Sequence, residues 1–315
     1  MRTPLLVIDV GIVLAVITFV AVPGTVSGQT GADFVPVTDA MLQDPSPDDW
    51  LMWRRTLNGW GYSPLEQINR DNVDMIRMVW SRALTEGNQT GTPLAYDGVM
   101  YMPNPNDVIQ ALDAATGDLI WEHRRFVPED IGDYMIGGTL YTNNRNIAIY
   151  DQLIIDTSAD DHVFALDAET GDLAWETKVL DYTVNPAIQG AGPIIANGKA
   201  ISGRSCFGGP ESCVIVAHDA MTGKELWRRR LIPAPGEPGD ETWGDVPYED
   251  RKHVGSWMPP SYDPELNLIY AGTSVTSPAP KFMLGGADKK HLYHNCTLAL
   301  DADTGEIVWY YQHLN

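Results

Sequence analysis

The chain has 315 residues, 44% hydrophobic and 20% charged, with 42 acidic against 21 basic side chains and a formal net charge of −21. That apolar share is ample for a large core, while the acidity argues against nucleic acid or an anionic membrane surface as a partner, since neither would be attracted. A basic redox partner or a salty environment would suit it better.

Met1-Arg2 precedes an apolar stretch from Val10 to Val22, and Pro23-Gly24-Thr25-Val26-Ser27-Gly28 follows. Charge, grease and small residues in that order predict a secretory signal over 1–28, cleaved near Gly28, with the rest of the protein outside the cytoplasm. The apolar run is short of the ~20 residues that span a bilayer. Extension back to Leu5 past Asp9 would lengthen it, so membrane attachment is expected only if this segment is retained. Residues 29–70 hold Trp50, Trp53, Trp60 and Tyr62 with little helical period, and Trp80 follows. They predict an aromatic-rich segment that packs on the first folded unit.

From residue 71 onward the chain is repetitive. Thr92 to Tyr101 reads as strand, Asp-Gly turn and strand. Ala111-Leu-Asp-Ala-Ala-Thr-Gly-Asp-Leu-Ile-Trp121 then returns as Ala165 to Trp175, Ala217 to Trp227 and Ala299 to Trp309. In each copy an apolar run ends at an Asp whose carboxylate can bond to backbone N–H groups one or two residues on, and the Gly supplies the positive φ of a tight turn. Leu119 with Trp121, Leu173 with Trp175 and Ile307 with Trp309 sit two apart and are expected to share a sheet face; Glu225 breaks that pattern before Trp227.

Successive repeat tryptophans are 54, 52 and 82 residues apart. Roughly 40 to 50 residues make one four-stranded blade of a β-propeller, so the sequence predicts an all-β chain of about four blades over 71–315. The surplus in the third gap is assigned to Leu231–His253, rich in Pro and Gly, as an inserted loop. Cys206 and Cys213 flank a turn-rich loop and can close a small disulfide ring in an oxidising compartment. Cys296 is left over. His291, His294 and Cys296 match no standard zinc spacing, and the absence of Cys-x-x-Cys-His excludes covalent haem of the c type in these residues.

The repeat, together with Trp50-Leu-Met-Trp53, Tyr62 to Asn69 and Ser261 to Tyr270, resembles the pyrroloquinoline quinone (PQQ) dependent alcohol dehydrogenases over about residues 45–315. The resemblance implies an eight-bladed propeller of which this chain is an N-terminal part, inactive alone. It also implies that Trp121, Trp175, Trp227 and Trp309 dock neighbouring blades. PQQ is a flat tricarboxylate; holding it takes a cationic fork, hydroxyl or amide donors and an aromatic floor. By resemblance Arg145 is the fork, Thr157 and Ser205 supply hydroxyls, and Trp257, outside the repeated unit, is the floor.

The same resemblance implies an alcohol substrate, a cytochrome or similar electron acceptor, a Ca²⁺ or lanthanide ion, and a catalytic Asp beyond Asn315. This chain also departs from the family pattern. Met135-Ile-Gly-Gly138 stands where adjacent cysteines are usual, Asn88 to Pro93 lacks an expected Glu, and metal-binding Glu and Asn are not evident near Ser202–Cys206 and Val275–Thr276. Two readings follow: a periplasmic quinoprotein dehydrogenase, or a non-catalytic propeller scaffold in the cell envelope.

Overall fold

The computed structural model describes residues 34–134, 145–206, 208–274 and 289–313. The expected signal over 1–28, Met135–Gly138 and Val275–Thr276 lie outside them.

Four antiparallel four-stranded sheets follow one another along the chain. The first contains β1 (Leu94–Tyr96), β2 (Val99–Asn104), β3 (Val108–Asp113) and β4 (Leu119–Arg124). The second contains β5 (Ala148–Tyr150), β6 (Leu153–Thr157), β7 (His162–Asp167) and β8 (Leu173–Lys178). A short ribbon of β9 (Ala187–Ile188) is interleaved with the third blade: β10 (Ile194–Ala196) and β11 (Lys199–Ser202) precede its partner β12 (Ser205–Cys206), and β13 (Val214–Asp219) and β14 (Glu225–Arg230) complete the blade. The fourth is β15 (Ser261–Asp263), β16 (Leu268–Gly272), β17 (Cys296–Asp301) and β18 (Ile307–Gln312). In every blade strand order equals chain order, the meander of a propeller.

The repeat builds the turn before the last strand of each blade. Asp113 Oδ1 accepts from the N–H groups of Ala115 and Thr116 at 2.9 and 2.8 Å, and Asp167, Asp219 and Asp301 do the same two and three residues on, one residue further than the sequence suggested. Gly117 turns the chain at a φ of +75°.

The same turn receives a tryptophan from the preceding unit. The Trp121 indole donates to the Ala168 carbonyl at 2.9 Å, Trp175 to Ala220 at 3.2 Å and Trp227 to Ala302 at 3.0 Å. Each ring lies against the next blade's glycine so closely that a Cβ on Gly171 would come within 2.6 Å of Trp121. Trp80 belongs to this series: it donates to Ala114 at 3.2 Å and covers Gly117. It lies 41 residues before Trp121, one blade period, although the rest of the unit is absent there.

One expectation about the last strands fails. Each blade carries a register shift between the repeat Ala and the residue after it, so that Ala111 pairs with Trp121 while Leu112 pairs with Leu119. The extra residue is a bulge, and it puts Leu119 and Trp121 on opposite faces. Leu119 is accordingly 44% exposed and Trp121 8%.

The surplus before the fourth repeat divides between two segments, 231–260 before β15 and 273–295 between β16 and β17. The first is not a loose loop. Trp243, wholly buried, belongs to the core shared by blades three and four and donates to Leu292 at 2.6 Å. The N-terminal segment also reaches past blade one. Trp50 bridges Ala95 in blade one, while Val37 bridges Asp151 in blade two. Asp39, at the start of the short helix α1 (Asp39–Gln43), accepts from Tyr150 Oη at 2.9 Å and from the Gly198 N–H in blade three at 3.1 Å.

Candidate functional site

Connections between blades, rather than blade strands, converge on a cleft of about 500 Å³ lined by Asn88, Gln89, Thr90, Arg145, Ile188, Gly190, Ser205 and Trp257. Loops on a rigid β scaffold can place unlike side chains together without disturbing the core.

Arg145 stands just before β5. Its carbonyl accepts from the Thr92 N–H at 2.8 Å, tying the first blade's approach segment to the second blade. Its neighbour Asn146 is buried and donates to the Pro193 carbonyl at 2.7 Å. Gly192 makes that packing possible: at φ +64°, a Cβ there would fall 1.9 Å from the Asn146 carbonyl oxygen. The Arg145 side chain then crosses to the ribbon, where Nη1 donates to the Gly190 carbonyl at 2.5 Å. Burial lowers its pKa from the usual arginine value, and the group is still a cation at any physiological pH.

Trp257 is fixed by the backbone before it. The Ser256 N–H donates to the Arg204 carbonyl at 2.9 Å, and Gly255 is bonded both ways to Ser274. Gly255 has no room for a side chain, since its Cβ would sit 2.9 Å from the Ser205 Cα. The indole, 40% exposed, faces the cleft, and the Arg145 Cζ lies 4.9 Å from its ring centre. A cation over a tryptophan face is attracted by the ring quadrupole, a contact worth about 0.5–2 kcal/mol.

Ser205 is held in the ribbon by pairing with Ile188, and the neighbouring Cys206 is bonded to Cys213, closing the disulfide ring the sequence suggested. Cys296 is buried outside that disulfide, its Sγ donating to the His294 carbonyl at 3.2 Å. Three of the four expected contacts, Arg145, Ser205 and Trp257, therefore share one cleft. Thr157 differs: it is fully buried at the end of β6 and is not among the lining residues, because the inner strands of the blade pack on both faces there. The tripeptide Asn88-Gln89-Thr90, marked in the sequence only for lacking an acid, lines the same cleft, as do Ile188 and Gly190. No motif flags these five.

This donor set fits a flat polyanion: one guanidinium, a half-exposed indole, two hydroxyls and two amides. It does not by itself fit a hard metal ion. Among the described residues no group of three or more His, Cys, Asp or Glu is arranged to hold one, and the cleft lining has no carboxylate.

A family model described as the β-propeller domain of glucose, ethanol and alcohol dehydrogenases (PQQ) matches residues 50–315. The dehydrogenase subunit of an alcohol dehydrogenase (quinone) from Gluconacetobacter polyoxogenes is 34% identical over 297 residues, covering 85% of this chain and 39% of the relative. Quinohemoprotein alcohol dehydrogenase ADH-IIG of Pseudomonas putida is also 34% identical, over 286 residues, with the same coverage. Its solved structure matches with a TM-score of 0.79 and 30% identity over 89% of this chain and 43% of that one. A europium-containing methanol dehydrogenase, at 24% identity and a TM-score of 0.73 over 87% of this chain and 50% of that one, is alike in fold. The chain thus spans about two fifths of the length of these curated relatives.

Proposed function

The chain belongs to the PQQ β-propeller family of glucose, ethanol and alcohol dehydrogenases, and from that premise we propose that it forms the quinone-binding part of a periplasmic dehydrogenase oxidising small alcohols. The observation that carries the reading is the cleft in which Arg145 and Trp257 meet, 4.9 Å apart.

Bound there, PQQ would supply the acceptor for the hydride of an alcohol C–H bond, which carries both electrons of the oxidation. The chain's own residues do the holding. Arg145 offers parallel N–H donors to a carboxylate, a charge-assisted pair stronger than a neutral hydrogen bond. Trp257 presents a planar face that excludes water and favours offset stacking with a conjugated ring system. Ser205 and Thr90 offer hydroxyls, and Asn88 offers an amide, to the carbonyl and carboxylate rim, while the Gln89 amide nitrogen is bonded to the Pro103 carbonyl. Thr157, fully buried at the end of β6, is not among the residues that line the cleft.

Residues that would complete catalysis, namely a proton acceptor and ligands for a Ca²⁺ or lanthanide ion, would come from outside the described residues. Electrons would pass to a cytochrome or similar acceptor, in keeping with the names of the quinohemoprotein relatives. The periplasmic location is supported by the charged, apolar and small-residue order of residues 1–28 and by the Cys206–Cys213 disulfide, which an oxidising compartment maintains. No helix among the described residues is long and apolar enough to cross a membrane.

The test is reconstitution of the full-length protein with PQQ and Ca²⁺ or a lanthanide, followed by dye reduction with a series of short alcohols. Saturable, PQQ-dependent turnover is expected. Saturation with PQQ but no turnover on any hydroxyl compound would contradict the dehydrogenase assignment and leave a cofactor-binding scaffold.

A further inference from the structure

The ribbon that forms one wall of the cleft has a charged reverse side. Ser205 and Ile188 are paired and both line the cleft, whereas the chain neighbours just beyond the paired positions, Arg204 and Gln189, are 0% and 1% exposed and do not line it. Behind the ribbon they meet Asp161. Gln189 Nε2 donates to Asp161 Oδ1 at 2.6 Å, and Arg204 Nε stands 3.9 Å from the same oxygen, near enough for ion pairing but too far for a hydrogen bond. None of the three guanidinium nitrogens of Arg204 has a hydrogen-bond partner among the described residues.

A buried arginine is normally paired and hydrogen-bonded, because an uncompensated charge in a low-dielectric interior is costly. Here the carboxylate in ion-pair range, Asp161, also accepts from Gln189, and the more distant Glu225 is itself bonded to Arg228, so Arg204 is only partly neutralised. It is fully buried beside Ser205, which lines the cleft, so solvent screens its field little there. Its backbone also accepts from Ser256 and so sets the position of Trp257.

We infer that Arg204 is a positioning residue for an anionic cofactor: a cation buried behind the β9–β12 ribbon that raises the cleft's affinity for a polycarboxylate without touching it, with Asp161 setting how much of that charge is felt. This rests on the cleft being the PQQ site. It differs from the role of Arg145, which faces the ligand, and no sequence motif singles it out.

Two substitutions should act in opposite directions. In the full-length protein, Arg204→Met is expected to weaken PQQ binding about tenfold, while Asp161→Asn, which keeps an acceptor for Gln189 but removes the counter-charge, is expected to tighten it several-fold, both by equilibrium dialysis. PQQ trimethyl ester, flat but uncharged at those positions, should show neither change. A merely structural pair would give losses for both variants and for both ligands. Thermal unfolding establishes that each variant is folded; if Arg204→Met is not, the direction of the Asp161→Asn change decides alone. Equal affinity across wild type and folded variants would overturn the inference while leaving the cleft assignment intact. Failure of wild type itself to bind PQQ would overturn that assignment, and the inference with it.

Discussion

The Arg145 guanidinium and the Trp257 indole form a cation–aromatic pair in the cleft, with the Arg145 Cζ 4.9 Å from the ring centre although the two residues belong to connections before blades two and four. The pair is an aromatic surface with a cation at hand, the two things a conjugated polycarboxylate requires. Neither strand pairing nor core packing accounts for it: Trp257 is outside the docking series, and Arg145 has no carboxylate partner among the described residues.

Arg145→Lys keeps the charge and loses the planar fork. A Lys ammonium at this site should bind PQQ about tenfold more weakly than Arg, and Arg145→Ala about a hundredfold, in line with the 1.5–3 kcal/mol typical of a hydrogen bond to a charged group. Equilibrium dialysis checks both values; equal affinity for Lys and Arg would remove the bidentate role.

Blade docking is testable through stability. Trp121→Ala should cost about 3–5 kcal/mol, the range for removing a buried aromatic, in denaturant unfolding monitored by circular dichroism. Gly171→Ala attacks the same contact from the other side: with φ at +75° and a Cβ 2.6 Å from Trp121, it should cost about 1–3 kcal/mol. Exposed Leu119, expected from sequence to share the buried face, should tolerate Ser within about 0.5 kcal/mol.

Reduction of Cys206–Cys213 should cost about 2–3 kcal/mol, the chain-entropy value for so short a loop. Because Ser205 and the ribbon adjoin this disulfide, a Cys206→Ser, Cys213→Ser double variant is expected to weaken PQQ binding as well as lower the melting temperature. A lower melting temperature with unchanged binding would show that the ribbon keeps its shape without the bond.

Two buried groups give opposite pH dependences. Burial presses the pKa of His218 down to about 4, with Arg204 and Arg228 adding to the effect and Glu225 opposing it. Its folded value lies below the unfolded 6.5, so the stability it contributes is full above pH 6.5 and is lost as pH falls toward 4. Burial raises Asp161 to about 6 despite Arg204 and Gln189. Its contribution is full below about pH 3.8 and is lost as pH rises through 6. Melting temperature measured from pH 4 to 7.5 should therefore fall less steeply on acidification in His218→Phe than in wild type, and more steeply in Asp161→Asn.

The sequence and the structure agree where a physical pattern repeats. Four Asp-x-x-Thr-Gly turns with a trailing Trp specify four blades because turn chemistry and indole docking are local, and each copy reads the same. Trp80 was hidden because it keeps the docking indole and lacks the rest of the unit. The bulge between Leu119 and Trp121 was hidden because simple alternation assumes an unbroken ladder. At the site, Trp257 stood out by being a tryptophan outside the repeat. Asn88, Gln89 and Gly190 did not, since nothing in a single chain says which loops the packing of successive blades will bring together. Thr157 matched by position in the sequence, yet the strand it ends is buried on both faces.

The central claim is that the Trp257 face is where a planar quinone rests. Titrating PQQ into the full-length protein while following tryptophan emission tests it directly, with Trp257→Phe as the reference for the remaining indoles. Saturable quenching in wild type that is largely absent in Trp257→Phe, with an affinity that falls in Arg145→Ala, is the predicted result. Quenching of equal size in wild type and Trp257→Phe, or an affinity indifferent to Arg145, would contradict it.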